Sequence, residues 1–166
     1  SLPSSDNPNN LGIIGDVYRG RNAADVIGNP TVNIGTTATV TLNSVDDDPN
    51  TTDVNEHTPD VVGAYIIGNV FGGGMGLDDT FFCEKGMIGV DGDGIDHPDG
   101  GTTVNIYKCT VRGNVYGGGE IGRVEKNTVV TIGIGDGVAP GSTPTSAPVI
   151  MGNVFGGGKG KETHGY

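Results

Sequence analysis

No run of about 18 apolar residues occurs in this 166-residue chain, so no helix is expected to cross a membrane. Bases are scarce, with 9 Lys and Arg against 20 acids and a formal net charge of -11. A chain without a basic stripe is not expected to bind nucleic acid or an anionic membrane surface. Proline numbers only 9 and glycine does not recur at every third position, which excludes a collagen-like chain. Tryptophan is absent and the other aromatic residues total nine. The opening Ser1-Leu2-Pro3-Ser4 has neither the basic start nor the apolar stretch of a signal peptide, so any such peptide is expected to have been removed. HExxH, phosphate-loop and nucleotide-binding signatures are missing, and His57, His97 and His164 stand near no Ser or Cys nucleophile motif.

Glycine is abundant instead, at 32 residues, which disfavours helical bundles and ordinary α/β enzyme cores. Short runs of Val, Ile and Thr argue for strands and against disorder. The charge is concentrated: 13 of the 20 acids and a single base, Lys85, lie between Asp46 and Asp99, a local balance of -12. A near-neutral scaffold therefore carries acidic excursions, which leaves cations, neutral sugars and proteins as partners.

Self-similarity organises the rest. Ile66-Ile67-Gly68-Asn69-Val70-Phe71-Gly72-Gly73-Gly74 returns as Val111-Arg112-Gly113-Asn114-Val115-Tyr116-Gly117-Gly118-Gly119. It returns again from Ile150 to Gly158, and a degenerate copy runs from Ile13 to Gly20. Second elements follow, starting at Thr31, Thr103 and Thr128. The intervals between Gly15, Gly68, Gly113 and Gly152 are 53, 45 and 39 residues, a fixed core with inserts of different length. In the shortest unit, Thr110 to Tyr116 reads as one strand, Ile121 to Glu125 as a second and Val129 to Ile132 as a third. Three short strands per unit, cornered by Gly and Asn, predict a parallel β-helix of about four coils with inserted loops. The domain spans 11–158, with insertions around 43–60 and 77–101, a flexible segment at 1–10 and a tail at 159–166.

Strand alternation places the columns Ile13, Ile66, Val111, Ile150 and Val17, Val70, Val115, Val154 inside. The column Ile14, Ile67, Arg112, Met151 points out. The Asn ladder and the ring ladder Tyr18, Phe71, Tyr116, Phe155 lie outside or at the corner. The rings have a structural use, covering bare glycine backbone, and a functional alternative, stacking on sugar rings or on a partner. Strand edges stay open at both ends, so the chain is expected to be cut from a longer array or to stack end to end on copies; the first is preferred.

Asp91-Gly92-Asp93-Gly94-Ile95-Asp96-His97-Pro98-Asp99 is the candidate metal site. Carboxylates of Asp91, Asp93, Asp96 and Asp99 on a Gly-rich loop suit Ca²⁺, although the spacing is not that of an EF-hand. The plainer reading is a solvated acidic loop, as for Asp46-Asp47-Asp48. No other cofactor is expected. Gly73 to Thr80 resembles the calcium-binding nonapeptide of RTX proteins, but Thr80 replaces its apolar residue and tandem copies are missing. Cys83 and Cys109 can form one disulfide or remain two thiols. Thr37, Thr39 and Thr41 share one strand face, explained by β-propensity because the row is not repeated.

The Gly-Asn-Val-Phe/Tyr-Gly-Gly-Gly string resembles large glycine-rich repeat proteins of the Bacteroidetes cell envelope, from about Leu11 to Gly158. The resemblance implies an exported, adhesin-like β-helical molecule at the cell surface, with no catalytic residues to carry over. The acidic loop departs from that pattern, as do Arg19 and Arg21 amid the glycines of the first copy. The expected role is a non-catalytic stalk or adhesive scaffold presenting loops to a glycan or to a host or neighbour-cell protein. Two alternatives stand beside it: a polysaccharide lyase or glycosidase fragment, since such enzymes use this fold, and a self-stacking filament module.

Overall fold

The computed structural model describes residues 12–20, 24–35, 63–77, 86–89, 95, 97–133 and 148–160. Among them the chain is all-β, without a helix, and none is long and apolar enough to cross a membrane. Eleven short strands among the described residues form three stacks of parallel strands. The first holds β1 (Ile13–Ile14), β4 (Ala64–Ile66), β7 (Cys109–Val111) and β10 (Val149–Ile150), in that order. The second holds β2 (Val17–Tyr18), β5 (Val70–Phe71), β8 (Val115–Tyr116) and β11 (Val154–Phe155). The third holds β3 (Thr31–Ile34), β6 (Thr102–Ile106) and β9 (Thr128–Ile132). A fourth, thinner ladder is made of single parallel bridges, Val26 to Ile88 and Ile88 to Val124. Each strand therefore pairs with its equivalent in the next repeat, as expected of a β-helix-like arrangement.

The three sheets face one core of Val32, Ile34, Ile66, Val70, Val104, Ile106, Cys109, Val111 and Val115, with Val17, Val130 and Ile150 packed against it. Two register details correct the sequence reading. Ile14, not Ile13, pairs with Ile66, while Val17 still pairs with Val70. The first repeat thus has one residue fewer between its first two strands, and counting back from Gly15 misplaces its isoleucines. Thr110 to Tyr116 is also two strands, because Arg112-Gly113-Asn114 bends the chain between β7 and β8. The Ile121–Glu125 strand reduces to the bridge at Val124. Ile88 lies within the stretch read as an insertion over 77–101, yet it is fully buried.

Polar columns tie the repeats together at the corner. The backbone N–H of Asn69 donates to Asp16 Oδ1 at 2.6 Å, that of Asn114 to Asn69 Oδ1 at 2.9 Å, and that of Asn153 to Asn114 Oδ1 at 2.8 Å. A side chain thereby satisfies an N–H that the bend removes from the strand ladder. Across the interior, the Thr102 hydroxyl donates to the Gly117 carbonyl and the Thr128 hydroxyl to that of Gly156. Glycine is required here by contact between layers. A Cβ on Gly72 would fall on the Gly117 carbonyl oxygen, and one on Gly73 would lie 2.7 Å from Gly119 N.

Candidate functional site

The ring ladder is the most ordered set of functional candidates. Tyr18, Phe71, Tyr116 and Phe155 stack in one column, with centroids 4.8, 4.9 and 5.0 Å apart and planes within 5 to 10° of parallel. The spacing is that of hydrogen-bonded strands, so the backbone register sets the ring separation. The rings lie apart from the valine core, as strand alternation expects. They do not form an exposed stripe. Phe71 is 0 % and Tyr116 7 % exposed, while Phe155 at the end of the column is 43 % exposed. Stacking in register covers the ring faces of the inner members, which pattern reading of single strands does not reveal.

One polar group spans the column. Tyr18 Oη donates to Glu120 Oε2 at 2.5 Å, and Lys159 Nζ donates to Glu120 Oε1 at 2.6 Å. Glu120 thus joins the first, third and fourth repeats. Burial alone would raise its pKa, but the bonds from Lys159 and Tyr18 outweigh this and hold it below the ordinary carboxylate value. The Tyr18 phenol is pushed well above its usual value, first by burial and then by the bond to Glu120. Lys159 is raised, chiefly by its hydrogen bond to Glu120. Glu120 was missed in the sequence, although the signal was there. Met75, Glu120 and Lys159 occupy one position after the triple glycine, and opposite charges at one position in successive layers stack within bonding reach.

Beside this group lies a cavity of about 420 Å³, lined by Gly118 to Val124 and by Gly157 to Gly160, with Glu120, Arg123 and Lys159 as its charged members. It offers glycine backbone, the Thr128 side chain and three charged groups.

Of the metal candidates, Asp91, Asp93 and Asp96 lie outside the described residues. Asp99 Oδ1 accepts from Asn29 Nδ2 at 3.0 Å, and Asn29 Oδ1 in turn accepts from the N–H groups of Gly100 and Gly101 at 2.9 Å. Asp99 therefore anchors the end of the acidic stretch to the first repeat. No cluster of three His, Cys, Asp or Glu suited to a metal occurs among the described residues. Cys109 is buried in the core as a free thiol, its pKa pushed up to about 11 by burial. Cys83 lies outside the described residues, as do Thr37, Thr39 and Thr41. No family model, curated protein or solved structure matches this chain.

Proposed function

We propose that the chain is a non-catalytic segment of a parallel β-helix from an exported cell-surface protein, a scaffold that holds its inserted segments for a glycan or protein partner. The observation that carries this reading is a division of labour. The polar side chains of Asp16, Asn69, Asn114, Thr102, Thr128 and Glu120 bond to other repeats and so serve the stack itself. The variation in length lies between the strands, and 13 of the 20 acids fall between Asp46 and Asp99. Groups engaged in holding layers together are poor candidates for chemistry on a substrate, and loops on a rigid frame are where binding residues concentrate. Loop length is tolerated thermodynamically, because closing a longer loop costs little more than closing a shorter one.

The test replaces residues 43–60 with a short Gly-Asn linker and compares both proteins on a glycan array and on cultured epithelial cells, with melting followed by circular dichroism. The expected result is an unchanged melt with binding lost. Binding that survives deletion, or a collapse of the melt, overturns the display reading. Release of unsaturated products from polyuronates in calcium buffer would overturn the non-catalytic part and support the lyase alternative.

A further inference from the structure

Among the described residues, the first and last repeats each carry one half of the same junction, and the two halves are complementary. Glycine gives the first sign. Gly72 and Gly117 have no room for a Cβ, because the Gly117 and Gly156 carbonyls of the following repeat occupy that place; Gly73 and Gly118 lie 2.7 Å from Gly119 N and Gly158 N by the same construction. Gly156 and Gly157 hold these positions in the fourth repeat, where a Cβ would meet nothing within 4 Å. At the opposite end, Gly113 and Gly152 press on the preceding repeat, while Gly15 faces open space. Glycine thus stands on both end faces where only another layer of backbone would demand it.

Hydrogen bonding gives the second sign. The N–H groups of Val17, Val70 and Val115 donate at 2.9 Å to the carbonyls of Asn69, Asn114 and Asn153. Gly72 and Gly117 donate to Tyr116 and Phe155, and Gly20, Gly73 and Gly118 donate to Gly73, Gly118 and Gly157. The series ends in donors at Val154, Gly156 and Gly157 with no acceptor beyond them among the described residues. It begins with the carbonyls of Asp16, Tyr18 and Gly20, which have no donor before them there. Among the described residues the asparagine ladder likewise ends in Asn153 Oδ1 on one side and begins with the Asp16 N–H on the other. Apolar exposure is also found at both ends: Ile13 and Ile14 on one, Val149, Met151, Val154 and Phe155 on the other.

We infer that a second copy of this chain stacks head to tail on the first, with β1 over β10, β2 over β11, Tyr18 over Phe155 and the Asp16 N–H on Asn153 Oδ1. A copy of this chain is the fitting occupant because the two faces carry the donors and the acceptors of one repeating junction. The contact uses the first two sheets, since β9 ends one strand lower than β10 and β11. Such a heterologous contact does not close on itself, so copies add in one direction. The net charge of -11 per copy opposes the contact, and salt relieves that repulsion. None of this depends on the adhesive reading.

Sedimentation velocity of the 166-residue chain, from micromolar to near-millimolar in roughly 0.15 M salt, tests the inference. The weight-average mass is expected to rise with concentration. Gly157→Leu is expected to weaken association at least tenfold at an unchanged melting temperature, because its side chain enters open space in the single chain. A second readout keeps the test decisive if that variant folds poorly. Ile13→Cys and Val149→Cys, each in a Cys83→Ser background, should form a disulfide dimer only when mixed, because these positions belong to one column through Tyr65 and Thr110. An unsubstituted 166-residue chain that stays at 16.8 kDa throughout overturns the inference. So does assembly that Gly157→Leu leaves intact while folded, or cross-linking of either cysteine variant with itself, which would mean a head-to-head contact.

Discussion

Single residues in this protein are constrained by the layer above or below. Gly113 shows it: a methyl group there would fall on the Gly68 carbonyl, whereas at Gly15, the same position in the first repeat, it meets nothing within 4 Å. Gly113→Ala is expected to lose roughly 1–3 kcal/mol in urea unfolding. Gly15→Ala is expected to change stability by less than about 0.5 kcal/mol at dilute concentration. Equal effects at the two sites would refute contact between layers as the reason for glycine. Glu120 carries a pH signature. Its folded pKa is depressed, so its contribution is full above the ordinary carboxylate value of 4.5 and is lost as pH falls through the lower folded value. Glu120→Gln should therefore melt below the natural protein at neutral pH, by an amount corresponding to roughly 1 kcal/mol. The gap should close as the pH falls through that lower folded value. A gap that persists in acid would mean that the carboxylate charge is not what holds Tyr18 and Lys159.

Among elements, the ring column ranks its members by position rather than by type. Phe71 and Phe155 are the same residue in the same column, one fully buried and the other 43 % exposed. Phe71→Ala is expected to destabilise by roughly 3–5 kcal/mol. Phe155→Ala should cost about 1 kcal/mol or less in the single chain, because much of its ring is already in water. Chemical denaturation of both variants checks the difference, and near-equal losses would sink the end effect. Much of this element level is legible in the sequence. The recurrence of Val-Phe/Tyr-Gly-Gly-Gly identifies the columns, and the register confirms Val17, Val70, Val115 and Val154 as one of them. Depth is not legible in this way. Alternation along a two-residue strand says that Phe71 faces away from Val70, but the burial of its ring comes from Tyr18 and Tyr116, residues 53 and 45 positions away. The shortened corner between Ile14 and Val17 is hidden for a related reason: the glycine that anchors the alignment sits inside the altered segment.

At the scale of the whole molecule, the strands lie across the stacking direction, and the first described residue, Gly12, belongs to the opposite end from the last, Gly160. Tension applied between them would load the hydrogen-bond ladders one junction at a time, a peeling geometry rather than a shear. Each layer adds only about 4.8 Å to the folded length. The intervals between layers hold 53, 45 and 39 residues, so each layer that peels away releases about 130 to 180 Å of extended chain. The residues between layers thus become stored length. Pulled from its two ends, such a stack is expected to lengthen in unequal steps, one for each interval.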